Sequence, residues 1–120
     1  MIYEVIKEQM DVLGVPYEYG EFTEPPNVYV VGECIESPSD SESCESGSFI
    51  LGLWSKHFVG LEPLLDLRDM MRSHFEQGVH VADGRGAVVV EYSNSLPVPS
   101  DVDGVWRIEV NLNYTEWRVR

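Results

Sequence analysis

Alternation near the C-terminal end is the feature that most constrains the fold. In VWRIEVNLNYTEWR, residues 105–118, the large apolar side chains fall on every second residue: Trp106, Ile108, Val110, Leu112 and Tyr114. The residues between them are Arg107, Glu109, Asn111, Asn113 and Thr115. A period of two is that of a β-strand with one buried and one solvated face. The chain is therefore predicted to contain a sheet, with Trp106 among the core residues.

Two other segments have the spacing of helices. In the first, apolar side chains recur every three or four residues, at Ile2, Val5, Ile6, Met10 and Leu13. Gly14 follows at the place where a helix would end. The second segment, 61–75, has Pro63 in its first turn and Gly78 beyond its end. Each is predicted to be an amphipathic helix against the core.

The remaining strand-like runs complete a coarse fold. Residues 15–22, 28–36 and 48–57 favour strands, and 79–82 and 87–92 flank a DGRG turn. Residues 93–104 are expected to form a polar connection. These elements predict an α+β fold with a mainly antiparallel sheet and two helices packed on it, in the coarse order α-β-β-β-α-β-β. Residues 1–120 are predicted to form a single domain.

A serine-rich acidic segment interrupts this order at residues 36–47. Five of its twelve residues are serine and none is a large apolar residue. We expect a flexible acidic loop there, including Asp40, Glu42 and Glu45. Because long loops in compact domains are often functional, two interpretations stay open. It is either an ordinary loop or a segment that becomes ordered in an assembly.

The charge of the chain excludes some classes of partner. Eight Lys and Arg residues face 21 Asp and Glu residues, which gives a net charge of −13. Such a field repels nucleic acid and anionic lipid. No apolar run reaches the ~20 residues of a membrane helix, and the first residues lack a signal-peptide core. We therefore expect a cytoplasmic protein with free thiols at Cys34 and Cys44.

No set of residues in the sequence indicates a catalytic, cofactor-binding or metal-binding site. The three histidines lack metal-ligand spacing, and neither a GxSxG turn nor a phosphate-binding glycine loop is present. The two cysteines do not match a zinc pattern. The sequence therefore predicts no catalytic residues, no cofactor and no metal, and the protein is not expected to be an enzyme.

Three pieces of the chain together resemble a known family. The first is the run GVPYEYGEFTEPPNVYVVGE after the first helix. The second is the strand and helix after the acidic segment, which includes VGLEPLLDLRDMMRSHFEQG, and the third is the final strand ending in Tyr114-Thr115-Glu116-Trp117. They span nearly the whole chain and are similar to tail terminators, or tail completion proteins, of long-tailed phages and prophages.

The resemblance implies a structural role. Tail terminators form a ring, usually a hexamer, that caps the tail tube and later meets the head connector, although some assembly proteins are monomers beforehand. DNA would pass without specific binding, and the protein would act in the bacterial cytoplasm and then in the virion tail. By analogy, Asp40, Glu42 and Glu45 would face the channel or a neighbouring subunit.

The residues themselves suggest where subunits would meet. Aromatic side chains are enriched at subunit contacts, which favours Tyr19 and Trp117. Arg118 belongs to a basic C-terminal edge that would pair with acids of a neighbour. Two alternatives remain: a head–tail joining or minor capsid protein, and an acidic inhibitor that mimics DNA.

Overall fold

The structure is a computed structural model that describes residues 1–37, 44–56, 59–99 and 104–119. Its elements are α1 (Ile2–Leu13), β1 (Tyr17–Tyr19), β2 (Val28–Glu36), β3 (Cys44–Ser55), α2 (Glu62–Phe75), β4 (Val79–Asp83), β5 (Gly86–Val98) and β6 (Trp106–Arg118). Strands hold 51% of the described residues and helices 24%, so the sheet dominates the molecule.

All six strands belong to one mixed sheet with the order β1-β2-β3-β6-β5-β4, which curls into a half-barrel. β1 runs parallel to β2, whereas the other neighbours are antiparallel. The predicted fold class, a mainly antiparallel sheet in the order α-β-β-β-α-β-β, is therefore wrong. Both arms of the hairpin around Gly84 are separate strands, which adds one strand to that order.

The parallel pair explains why the sequence was misleading. Parallel neighbours usually need a crossover of a dozen or more residues, often helical. Here residues 20–27, which include Pro25 and Pro26, lead from β1 back to the start of β2. A connection this short is typical of an antiparallel pair, so nothing local indicates the direction of β1.

Both helices form where their end signals predict. Gly14 has φ 70°, and its N–H donates to the carbonyls of Met10 and Asp11, which ends α1. Pro63 occupies the first turn of α2, where its missing N–H has no cost. Both helices bury their apolar sides against one face of the sheet, in a core that includes Ile6, Met10, Leu64, Met71, Phe75, Phe49, Leu51, Val90, Val110 and Leu112.

β1 is shorter than its predicted range of 15–22, and β3, β5 and β6 also differ from the prediction. β3 begins at Cys44, so the end of the predicted loop at 36–47 is strand, and Glu45 lies in it. Asp40 and Glu42 lie outside the described residues. β5 continues through Asn94–Val98, pairing with residues 107–111, where a connection was expected. Trp106, predicted in the core, is 45% exposed at the first position of β6.

The alternation along the strands gives the sheet two faces. The inner face packs on the helices. The outer face consists of the intervening residues, which include Tyr29, Val31, Glu33, Ile35, Ile50, Gly52, Trp54, Leu96, Arg107, Glu109, Asn111 and Trp117. No helix or strand among the described residues packs on the outer face.

Candidate functional site

The outer face carries an aromatic and cationic stack. The rings of Tyr29 and Trp54, neighbours on β2 and β3, are nearly parallel at 8° with centroids 6.4 Å apart. The guanidinium carbon of Arg107 on β6 lies 4.8 Å from the Trp54 ring centroid. Such cation–π contacts hold an arginine flat against an aromatic ring. The stack therefore crosses three central strands.

The hydrogen-bonding groups of Arg107 are only partly paired with other described residues. Its Nε is buried and has no hydrogen-bond partner in the described structure. Among the described residues Arg107 forms an ion pair with Glu109, whose carboxylate lies 3.8 Å from Nη2, which is beyond hydrogen-bonding distance. The side chain is 28% exposed. The Nη groups of this partly exposed side chain, and not the buried Nε, are therefore the donors that an external acceptor could reach.

Gly52 makes room for this arrangement. A Cβ at Gly52 would lie 3.2 Å from Trp54 Nε1 and 3.7 Å from Arg107 Nε. Because a glycine inside a strand often marks such a close approach, Gly52 is a signal in the sequence by which the site could have been found. Next to it is a hollow of about 430 Å³ whose lining includes Val31, Glu33 and Ile50.

Two predicted site residues contact each other. A guanidinium nitrogen of Arg118 forms an ion pair with the Glu45 carboxylate, which also accepts a 3.1 Å hydrogen bond from Tyr114 Oη. Arg118 Nε donates to Glu116 at 3.0 Å. Burial raises the pKa of the Tyr114 hydroxyl. Arg118 and Glu45 are thus partners within one chain, and their inter-subunit roles stay predictions.

Glu116 anchors the N-terminal end of the chain. Its Oε1 accepts a 2.8 Å hydrogen bond from the Ile2 N–H and lies 3.4 Å from the Met1 ammonium. Burial alone would raise the pKa of this carboxyl. Hydrogen bonds from Arg118 and Ile2, together with the ammonium charge, outweigh burial and lower the pKa below its ordinary 4.5.

Tyr19, a predicted interface residue, contacts its own chain at the sheet edge. Its ring packs edge-on against Tyr3 with centroids 5.1 Å apart. Its hydroxyl accepts a 3.2 Å hydrogen bond from the Cys34 N–H, just beyond the last residue of β2 that pairs with β1. Tyr19 therefore covers part of an open strand edge while staying 46% exposed.

Trp117, the other predicted aromatic interface residue, is 45% exposed on the outer face near the end of β6.

An apolar groove of about 350 Å³ lies at the opposite end of the sheet, where α1 ends and α2 begins. The groove could not be predicted from the sequence because its walls come from three separate segments, whose residues include Leu13, Val15, Val28, Leu67 and Met70. Asp66 is its charged lining residue.

The described residues contain no cluster of three His, Cys, Asp or Glu side chains arranged to hold a metal ion. Neither α1 nor α2 combines the length and the apolar character that a membrane-spanning helix requires.

Comparison with known proteins shows a similarity in fold to one solved structure. No protein-family model matches the chain, and no curated protein is significantly similar to it. One solved structure superposes with a TM-score of 0.76 at 15% sequence identity, covering 99% of this chain and 95% of its own. The name of that protein says nothing about what it does. At this identity the likeness shows that the two chains share a fold.

Proposed function

We propose that this protein is a structural subunit of a phage tail, and that it assembles with its own copies into a ring. The ring, a hexamer by the family resemblance, caps the tail tube and joins it to the head connector. The protein acts in the bacterial cytoplasm during assembly and then in the virion tail. Its work is binding, not catalysis.

The observation that carries this proposal is the Tyr29–Trp54–Arg107 stack on an outer face that no helix or strand among the described residues covers. The Phe22 ring packs edge-on against Tyr29 at one end of the stack, with centroids 5.4 Å apart. Tyrosine, tryptophan and arginine are the residues that most often dominate the energy of protein contacts. A sheet face with apolar and aromatic side chains is normally buried against another layer. We propose that a second copy covers it.

Charge complementarity favours a second copy as the occupant. Arg107 has an incompletely paired guanidinium, and each copy carries 21 carboxylate side chains against eight cations. A carboxylate from a neighbour would supply the bidentate acceptor that Glu109 does not. Acids elsewhere would keep free subunits apart and repel DNA passing the ring.

The test is the mass of the protein in solution over a concentration series. It is measured by light scattering on a sizing column, with negative-stain imaging of any large peak. We expect closed rings of uniform size. The fraction of the protein found in rings should rise with concentration. A strict monomer that competes with DNA for a restriction or repair enzyme would replace this proposal with the acidic DNA mimic.

A further inference from the structure

We infer that subunits join head to tail, with Trp117 of one copy inserted into the apolar groove between α1 and α2 of the next. This inference rests on the proposed function and names the contact by which the ring closes. The groove, which was not predicted from the sequence, thereby has a binding role. The occupant is a second copy of this chain.

The two surfaces lie at opposite ends of one elongated subunit. The strand register places Val28, in the groove, beside Ser55 and the start of β6 at Trp106. Trp117 lies eleven residues further along the same strand, about 36 Å away at ~3.3 Å per residue. The molecule measures 49 × 26 × 26 Å. A contact between different surfaces at opposite ends is heterologous, and heterologous contacts generate rings when the rotation closes.

The chemistry of the two surfaces is complementary. The groove has the volume for one large side chain, and its lining is apolar apart from Asp66. Trp117 offers a broad apolar ring with a single N–H donor. Asp66 supplies a carboxylate acceptor at the groove wall for that donor. Aromatic side chains that fill a pocket on a partner are the commonest energetic centres of protein interfaces.

Two substitutions separate the two halves of the contact. Trp117→Ala removes the inserted ring and leaves the groove intact. Met70→Glu places a charge on the groove wall at a side chain that is 37% exposed, so folding should tolerate it. Trp106→Ala is the matched control, because Trp106 has the same 45% exposure on the same strand and does not line the groove.

The experiment measures mass by light scattering for each variant alone and for an equimolar mixture of Trp117→Ala with Met70→Glu. Each variant alone is expected to lose the ring, with the dissociation constant of the contact raised at least about tenfold. The mixture is expected to form a one-to-one pair and nothing larger, because only one of its two contacts is intact. Circular dichroism checks that each variant is folded.

The outcomes distinguish this inference from the proposed function. Rings that persist in both variants, or a mixture that stays monomeric, would overturn the head-to-tail contact while leaving a ring-forming protein. A wild-type chain that is monomeric at every concentration would overturn the contact, and the proposed function would fall with it if that monomer also competes with DNA for a restriction or repair enzyme. Loss of rings in Trp106→Ala to the same degree as in Trp117→Ala would also overturn the assignment to the groove.

Discussion

The backbone N–H of Ile2 donates a 2.8 Å hydrogen bond to the carboxylate of Glu116, which joins the first helix to the last strand across 114 positions of sequence. Glu116 is 3% exposed and is one of only two buried polar residues among those the structure describes. The Met1 ammonium and Arg118 share the same carboxylate. A buried charge with several donors stabilises the fold only while the donors remain in place.

Glu116→Ala should lower the free energy of unfolding by about 2–4 kcal/mol, since it leaves buried donors without an acceptor. Glu116→Gln keeps one acceptor and should cost less. Chemical denaturation measures both. Glu91→Gln, at an exposed position on β5, is the control and should change stability by about 0.5 kcal/mol or less. Equal losses in Glu91→Gln and Glu116→Gln would contradict the assigned role.

Stability should also depend on pH through Glu116. Its pKa is lowered in the folded chain, so the unfolded chain binds the proton first as the pH falls. The stabilisation is present above the ordinary value of 4.5 and is lost as the pH falls through the folded pKa. Denaturation midpoints between about pH 6 and pH 3 should therefore fall more steeply for wild type than for Glu116→Gln. Parallel profiles would refute this.

The sequence predicted correctly those helix and strand boundaries that depend on neighbouring residues. Gly14 ends α1 as predicted, and β2 has the predicted bounds of Val28 and Glu36. Both predictions depend on side chains that lie only a few residues apart in the sequence. The extension of β5 to Val98 could not be predicted in this way, because the register shifts between Tyr92 and Asn94 and Ser93 has no partner there. Asn94 is a poor strand former that pairs with Asn111 only because β6 lies beside it.

The candidate site depends on contacts that are distant in sequence. Glu45 and Arg118 were each chosen for separate reasons, and the register of β3 with β6 brings them together over 73 positions. Trp54 and Arg107 meet for the same reason. The periodicity of β6 placed Arg107 on the solvent-facing side, but it did not indicate which neighbour would contact it.

Gly86 should be far less tolerant of alanine than Gly84 in the same turn. Gly86 has φ 147°, and a Cβ there would overlap the carbonyl of Trp117. A Cβ at Gly84 would meet nothing within 4 Å. Gly86→Ala is expected to cost about 2–4 kcal/mol in unfolding free energy, whereas Gly84→Ala should be close to neutral. Thermal denaturation of the two variants side by side tests this, and similar melting temperatures would rule it out.

Tyr19→Phe should expose the edge of β2. The variant keeps the ring but removes the hydroxyl that accepts from the Cys34 N–H, a hydrogen bond worth about 1 kcal/mol. Hydrogen exchange at the Cys34 amide should accelerate severalfold. Tyr3→Phe removes the hydroxyl of the neighbouring ring, which donates to Glu36, without touching the Cys34–Tyr19 bond, and it serves as the control. Unchanged exchange in Tyr19→Phe would mean that the hydroxyl does not protect the edge.

Arg107→Gln should impair assembly more than folding. The cation–π contact with Trp54 is worth about 0.5–1 kcal/mol at a partly exposed site, so the variant should remain folded. The guanidinium that would receive a neighbour's carboxylate is lost, so larger species should appear only at higher concentration. Light scattering over a concentration series measures the change.

Arg68→Gln separates this effect from net charge. Arg68 is 33% exposed, pairs with Asp69 on α2 and lies away from the outer face, and its loss changes the net charge by the same unit. Added salt screens the repulsion between the acidic subunits in both proteins, but it screens an ionic contact of Arg107 only in the wild type. If Arg107 makes such a contact between copies, added salt should therefore favour wild-type association less than that of Arg107→Gln. Identical mass distributions and identical salt responses for the two variants would mean that Arg107 has no part in association, and the Tyr29–Trp54–Arg107 stack would then serve only to pack the outer face.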